Sequence, residues 1–266
     1  MSKVRSRLLK QFALSLVLFL FLPISGEAAE CDELDLQITT TPVFPQFSLG
    51  LHQHFEQMRQ MPTGPIDLML IGDSLVWGWD PSAWGKEAEG RAMWGMGIVG
   101  DRVQNVLWRL QGDALKKIAP RNVLLLIGTN NLGAVDKPCA IITGFEAIVH
   151  RMRELWSDFH LYVVLIPPRG KNWSEMEVER RIVNQELSQR ATFENWAIID
   201  ADKALTCDFT QPCENYRSDL LHLTSSGYRE LSRMVAQALG WSSQMPLGSR
   251  PEMRSGPVAG SAGRSR

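Results

Sequence analysis

Ser74 occupies a position at which a serine hydroxyl could act as a nucleophile. Residues 72–75 read Gly-Asp-Ser-Leu and directly follow the apolar run 66–71. Gly72 permits a tight turn into a helix, where unpaired backbone N–H groups favour a developing negative charge. Such a serine is a candidate nucleophile if a base reaches it. The alternative is a serine that caps the helix N-terminus, and these four residues leave both roles open.

An aspartate and a histidine three residues apart, Asp219 and His222, could supply that base. At this spacing, both side chains can lie on the same side of one turn. The carboxylate would accept a hydrogen bond from one imidazole nitrogen, and the other nitrogen would take a proton from Ser74. The alternative is an exposed aspartate beside a histidine at the start of a helix.

Gly100 and Asn130 are candidates for stabilising negative charge. Gly100 ends a weak strand pattern and precedes a helical one, so its N–H could donate to a ligand. Asn130 follows the apolar run 122–127, where its amide could complete an oxyanion hole. A turn glycine and a turn-forming asparagine are the simpler alternatives. One crevice could nevertheless gather all of these residues, because they follow strand ends or precede the last helix.

Strand and helix patterns alternate along the chain around these residues. Short apolar runs typical of buried parallel strands occupy residues 66–71, 122–127, 160–166 and 196–200, with a weaker one at 92–96. Apolar residues at helical spacing predict helices over residues 49–60, 103–110, 140–159, 174–192 and 225–239. The alternation predicts an α/β domain in which helices cover both faces of a parallel sheet.

Four segments resemble the SGNH, or GDSL, hydrolase superfamily, and the resemblance extends over residues 47–239. The segments are Gly-Asp-Ser-Leu at 72–75, the stretch from 100 to 110, Gly-Thr-Asn-Asn at 128–131 and Asp-Leu-Leu-His at 219–222. Together with Pro-Arg-Gly at 168–170, they look most like the platelet-activating-factor acetylhydrolase branch and its bacterial relatives. Gly95 and Val99 depart from that branch, which usually has an asparagine and a glycine there.

The resemblance implies both a fold and a set of site residues. The implied fold is flavodoxin-like, three-layer α/β/α with a five-stranded parallel sheet. Ser74 would be the nucleophile, His222 the general base and Asp219 the residue that orients it. The N–H groups of Ser74 and Gly100 and the Asn130 side chain would form the oxyanion hole. This chemistry needs no metal and no organic cofactor.

The predicted activity is hydrolysis of carboxylic esters with short acyl groups such as acetyl. An α/β-hydrolase is a poorer match, because its nucleophile elbow reads Gly-x-Ser-x-Gly and Val76 stands at the last position. Two alternatives would use the same fold. One is an O-acyltransferase acting on cell-envelope polysaccharide, and the other is a catalytically silent binding module, which the complete Ser-His-Asp set disfavours.

The two ends of the chain differ from its middle. Residues 1–28 contain basic residues, the apolar run 12–22, Pro23 and small residues before position 29, which predicts a secretory signal peptide. The run is shorter than the roughly 20 residues of a membrane-spanning helix. Residues 29–240 are the predicted hydrolase domain, and residues 241–266 are a predicted disordered tail. We therefore expect an exported protein, periplasmic or secreted, without a stable membrane span after cleavage.

Charge limits the partners that the domain can attract. The 266 residues include 28 Lys and Arg against 29 Asp and Glu, and both ends of the chain are basic. The domain between them is therefore acidic, which gives it no electrostatic attraction to nucleic acid or an anionic membrane surface. The expected partner is a small-molecule ester or an ester on a glycan or lipid.

The four cysteines predict disulfide bonds in an exported protein. Cys31, Cys139, Cys207 and Cys213 allow three pairings, and none of their spacings resembles a zinc site. The short loop between Cys207 and Cys213 favours a bond between those two. By elimination, Cys31 would then pair with Cys139.

Aromatic and basic residues near the candidate site carry weaker signals. The tryptophans at positions 77, 79, 84 and 94 lie close after Ser74. They could line an acyl or sugar pocket, but so many aromatic residues more often belong to a core. Arg169 could meet an anionic substrate group, although we expect it to be a surface arginine.

Overall fold

A computed structural model describes residues 30–45 and 47–241. The predicted signal peptide and the part of the predicted tail beyond Trp241 lie outside the described residues. Within them, five parallel strands form one sheet in the order β2-β1-β3-β4-β5. The strands are β1 (Leu68–Gly72), β2 (Met93–Gly97), β3 (Asn122–Leu126), β4 (His160–Val164) and β5 (Ala197–Ile199). The predicted parallel sheet is confirmed, including its weak strand at 92–96.

Helices connect the strands and cover both faces of the sheet. The longer helices are α1 (Glu33–Thr40), α2 (Ser48–Arg59), α4 (Val103–Arg109), α6 (Pro138–Leu155), α7 (Glu177–Glu194) and α9 (Ser225–Ala238). The short helices are α3 (Ser74–Trp77), α5 (Thr129–Gly133) and α8 (Asp202–Leu205). Helix α6 ends earlier than predicted, because the backbone of Trp156 is extended and its N–H closes the last turn on Met152.

The alternation of side chains along each strand divides the core into two layers. Met69 and Ile71 of β1 pack into a cluster with residues of α4, α6 and α7. Leu68 and Leu70 point to the opposite face and pack with residues of α3, α8 and α9. Both faces are apolar, so the strands appear in the sequence as continuous hydrophobic runs. The result is a three-layer α/β/α architecture.

Gly72 allows the carboxyl end of β1 to lie close to β3. A Cβ atom at this position would approach the backbone oxygen of Leu126 to 2.1 Å, well inside van der Waals contact. Only glycine therefore fits where the chain leaves β1 and turns toward Ser74. The close approach brings the segments that follow β1 and β3 to the same edge of the sheet.

Two disulfide bonds are present. Cys31 pairs with Cys139, which joins the segment before α1 to the start of α6, and Cys207 pairs with Cys213 within a loop after α8. Among the described residues, no helix is long and apolar enough to cross a membrane.

Candidate active site

Ser74 is the first residue of α3, directly after the turn that follows β1. Asp73 is the N-cap of this helix, and its carboxylate accepts a hydrogen bond from the Leu75 N–H at 2.9 Å. The capping role that Ser74 could have had therefore belongs to its neighbour. Burial raises the pKa of Asp73 to about 7. The Ser74 hydroxyl does not cap the helix and is available to His222.

The side chains of Ser74, His222 and Asp219 form a continuous hydrogen-bonded chain. Nε2 of His222 lies 2.9 Å from Oγ of Ser74, although the two residues are 148 positions apart in the sequence. Nδ1 of the same ring lies 2.8 Å from Oδ2 of Asp219. This is the geometry in which a carboxylate orients an imidazole and the imidazole can take the proton of a serine hydroxyl.

Backbone hydrogen bonds hold the carboxylate of Asp219 in position. Its Oδ1 accepts from the N–H groups of Leu221 and His222 at 3.0 and 2.9 Å. Burial raises the pKa of Asp219, but the hydrogen bonds from His222 and Leu221 outweigh burial and keep that pKa below its ordinary value. The carboxylate is therefore ionised beside the imidazole over a wide pH range.

The loop that carries Asp219 and His222 is tied to the segment after β4. The hydroxyl of Tyr216 donates to the carbonyl of Pro168 at 2.8 Å, and the Gly170 N–H donates to the carbonyl of Leu220 at 2.9 Å. The loop also closes on itself, because the Arg217 N–H donates to the His222 carbonyl at 2.8 Å. Sequence reasoning missed Tyr216, whose role depends on a partner 48 residues away.

Gly100 and Asn130 line the same cavity. Gly100 has φ of +81°, a conformation that residues with a side chain rarely adopt. Its N–H makes no hydrogen bond to another described residue. The Asn130 amide donates one N–H to the Asp101 carbonyl at 2.8 Å and has a second N–H to offer. Two donors predicted from the sequence thus lie on the same cavity.

Asn131, the neighbour of Asn130, lies in a different environment. It is fully buried and accepts a hydrogen bond from the Val103 N–H at 3.0 Å. Its amide donates to Gln104 at 3.1 Å and to Asp136 at 2.9 Å. These contacts join α5 to α4, so Asn131 supports the site from within the protein.

Arg109 joins the carboxyl ends of β1 and β2. Its guanidinium donates to the carbonyls of Gly72 and Met96 at 2.9 and 2.7 Å. It also forms an ion pair with Asp101 at 2.7 Å, and both side chains are almost completely buried. Burial raises the pKa of Asp101 to about 6, although the Arg109 charge opposes that rise. Sequence reasoning missed Arg109, because a helical arginine without its partners gives no local signal.

Ser74 and His222 also border a small cavity of about 100 Å³. Its other lining residues are Trp77, Gly78, Val99, Arg217 and Tyr228. Val99 therefore lies at the site, at a position where the sequence departs from the branch that it resembles. Within the described residues, no group of three or more His, Cys, Asp or Glu side chains could hold a metal ion.

The tryptophans divide between the core and the site. Trp79 and Trp84 are buried and stacked, with ring centroids 5.0 Å apart, as expected for core residues. Trp77 is 56% exposed and lines the cavity at Ser74. Trp94 is half-buried against the core layer that includes α4 and α6.

The expectation of a surface arginine at position 169 is wrong. Arg169 is buried, and its guanidinium donates to the Thr129 carbonyl at 2.9 Å. It also pairs with Glu175 at 2.7 Å. The carbonyl of Thr129, the first residue of α5, and the Glu175 carboxylate before α7 compensate this charge, which allows it to be buried. The sequence alone could not show either partner.

Comparison with known proteins identifies the family. Residues 70–230 match the profile of the GDSL-like lipase/acylhydrolase family. The chain belongs to this family. It is a carboxylic ester hydrolase acting on a small-molecule substrate, which confirms the enzyme class predicted from the sequence.

The relatives of the chain include eukaryotic acetylhydrolases and bacterial lipases. Human platelet-activating factor acetylhydrolase IB subunit alpha1 is 29% identical over 175 residues, which cover 65% of this chain and 75% of that protein. The GDSL-like lipase from Bacteroides thetaiotaomicron superimposes with a TM-score of 0.58 at 14% identity. The match covers 71% of this chain and 96% of the lipase chain. The lipase/acylhydrolase from Enterococcus faecalis gives 0.55 at 20% identity, with coverage of 65% and 94%. These likenesses confirm the SGNH hydrolase fold.

Proposed function

We propose that this protein is a serine esterase whose catalytic triad is Ser74, His222 and Asp219. The observation that carries the proposal is the hydrogen-bonded chain from Ser74 Oγ to His222 Nε2 and from His222 Nδ1 to Asp219 Oδ2. In the first step, His222 takes the proton of the Ser74 hydroxyl while Oγ attacks the ester carbonyl carbon. His222 then protonates the leaving alkoxide, and an acyl-enzyme remains on Ser74.

Water completes the reaction in the second half. His222 takes a proton from a water molecule, whose oxygen attacks the acyl carbon. The acyl–Oγ bond then breaks, and His222 returns the proton to Ser74. Asp219 stays ionised and stabilises the imidazolium each time it forms.

The oxyanion hole in this proposal consists of the N–H groups of Ser74 and Gly100 and the amide of Asn130. The free N–H of Gly100 and the second amide proton of Asn130 support these roles. Donors fixed in advance stabilise the tetrahedral intermediate more than the substrate, because negative charge develops on the oxygen only in that intermediate.

We infer that the substrate carries a short acyl group such as acetyl. The cavity that Ser74 itself borders is small, with a volume of about 100 Å³. The human relative, an acetylhydrolase by name, also supports a short acyl group. The proposal extends beyond small-molecule esters to esters carried on a glycan or lipid.

We also propose export of the protein, with residues 1–28 as a signal peptide, residues 29–240 as the hydrolase domain and residues 241–266 as a tail. Two disulfide bonds support an oxidising compartment outside the cytoplasm, because such bonds seldom persist in reducing surroundings. Trp241, the first residue of the proposed tail, still contacts the domain, where its ring lies 6.3 Å from that of Trp84.

The test replaces the nucleophile and compares it with a nearby serine. Ser74→Ala should lower kcat for p-nitrophenyl acetate by about 10⁴-fold or more, because loss of a triad nucleophile typically has this effect. Ser218→Ala is the matched control, since Ser218 is exposed and lies beside Asp219 without a side-chain hydrogen bond to a described residue. Turnover by folded Ser74→Ala protein at the wild-type rate would refute the mechanism.

A further inference from the structure

Two hydrogen-bond donors share the small cavity with Ser74 and His222 but have no part in the proposed reaction. They are the guanidinium of Arg217 and the phenol of Tyr228, which line this cavity together. Burial raises the pKa of Tyr228, and the nearby Arg217 charge partly opposes that rise. The phenol therefore stays protonated and can donate a hydrogen bond beside a fixed positive charge.

Neither donor is fully used within the described part of the chain. The Nε atom of Arg217 donates to the carbonyl of Leu223 at 3.1 Å, but its two Nη groups make no hydrogen bond there. The Tyr228 hydroxyl likewise has no hydrogen-bond partner among those residues. The nearest acidic neighbour in sequence, Asp219, forms no ion pair with Arg217 and holds His222 instead.

Other arginines around the site are neutralised by carboxylates. Arg109 pairs with Asp101, Arg169 with Glu175, and Arg102 lies 4.0 Å from Asp136. Arg217 differs from these three because no carboxylate of the described residues lies within 4.0 Å of its nitrogens. A guanidinium held by its Nε, with two Nη groups directed elsewhere, is suited to a carboxylate or phosphate.

We propose that Arg217 and Tyr228 form a subsite for a negatively charged group on the alcohol part of the ester. This inference rests on the proposed function, in which His222 protonates the leaving oxygen. The alcohol part must then leave Ser74 on the side of His222, which is where both donors lie. The acyl part and the carbonyl oxygen face Gly100 and Asn130.

The small cavity favours a charged group close to the ester. Ser74, His222 and Arg217 all line the same space of about 100 Å³. A carboxylate or phosphate a few bonds from the ester oxygen can therefore reach Arg217. The domain as a whole is acidic and repels anions at long range, so this preference must come from local donors.

The experiment compares charged and neutral esters of the same shape. The carboxylate probe is 2-acetoxypropanoate with its methyl ester as the neutral partner, and the phosphate probe is 2-acetoxyethyl phosphate with its dimethyl ester. Acetate release gives kcat/KM for each ester. The measured quantity is kcat/KM of the charged ester divided by kcat/KM of its neutral partner. We expect the wild-type ratio to exceed one for at least one pair, and the better pair identifies the anion.

Three variants and one control test which residues produce the preference. Arg217→Gln should lower the ratio about tenfold, the effect of losing one charge-assisted hydrogen bond. Arg217→Lys should keep part of the preference for the charged ester. Tyr228→Phe should lower the ratio less than Arg217→Gln does. Arg229→Gln is the control, because Arg229 is exposed and borders a different cavity. If Arg217 had only a structural role, its loss would lower turnover of the charged and the neutral ester equally and leave the ratio unchanged.

The outcomes separate this inference from the proposed function. Hydrolysis that depends on Ser74 but shows no preference for either charged ester overturns the subsite and leaves the esterase intact. A preference that survives Arg217→Gln in protein with an unchanged melting temperature also overturns it. Absence of Ser74-dependent hydrolysis of every ester overturns both.

Discussion

Asn130 and Asn131 are adjacent residues of one type, and the structure gives them different tasks. Asn130 is half-buried at the cavity that Gly100 lines, whereas Asn131 is fully buried between α5 and α4. We predict that Asn130→Ala lowers kcat about a hundredfold or more and changes KM less. The lost donor acts where negative charge develops, in the transition state. Steady-state kinetics on p-nitrophenyl acetate measures both parameters.

Asn131→Ala is the matched comparison at the residue scale. It removes several buried hydrogen bonds, so it should lower the free energy of unfolding by about 1–3 kcal/mol. Asn130→Ala should affect stability less than this. An Asn130→Ala enzyme that changes only in KM would contradict the oxyanion role and make Asn130 a ground-state binding residue.

At the scale of elements, Arg109 joins the ends of β1 and β2 and is paired with Asp101 in the core. We predict that Arg109→Met lowers the free energy of unfolding by about 3–5 kcal/mol, because it leaves the Asp101 carboxylate buried without its partner. Urea denaturation measures the loss. Arg121→Met is the control, since Arg121 is exposed and pairs with Asp67 at 3.5 Å. Loss of this exposed ion pair should lower the free energy of unfolding by at most about 1 kcal/mol.

A double variant identifies the source of that loss. Arg109→Met combined with Asp101→Asn removes both charges, so it should be less destabilised than the sum of the single variants predicts. Strict additivity would show that Arg109 stabilises the strand ends through the carbonyls of Gly72 and Met96 alone.

The sequence predicts elements well where a local pattern determines them. The apolar run 122–127 and the helical spacing over 103–110 match β3 and α4 closely. A buried strand needs consecutive apolar residues, and a helix with one buried face needs them at helical spacing, so both patterns can be read from the sequence. Helix α1 was missed, although Asp32 and Asp35 form a capping box at its start. Its one buried residue is Thr39, and its apolar residues Leu34, Leu36 and Ile38 recur at every second position, which does not indicate a helix.

Site residues follow the same rule. Ser74 and Asn130 lie in recognisable segments after strand ends, and His222 lies in one before the last helix, so their meeting could be predicted. Arg109 and Arg217 could not be found in that way. The role of each arginine depends on the carbonyls, carboxylates or open cavity around its guanidinium. Residues distant in sequence supply those surroundings.

At the scale of the whole molecule, the two disulfide bonds close loops of very different length. Cys31 and Cys139 are 108 residues apart, whereas Cys207 and Cys213 are 6 apart. The first bond fastens the segment before α1 to α6, where Thr39 also donates to the Ala140 carbonyl at 2.7 Å. In the chain-entropy model the long loop is worth about 5 kcal/mol and the short loop about 2 kcal/mol.

We therefore predict that the two bonds affect different properties. Cys31→Ser with Cys139→Ser should lower the melting temperature more than Cys207→Ser with Cys213→Ser. The second pair should lower kcat more at a temperature where both proteins are folded, because its loop leads into Asp219 and His222 and small positioning errors are costly in rate. Thermal unfolding and p-nitrophenyl acetate turnover of the two double variants measure both effects. A Cys207/Cys213 variant with wild-type kcat would show that hydrogen bonds such as Tyr216 to Pro168 suffice to position the triad.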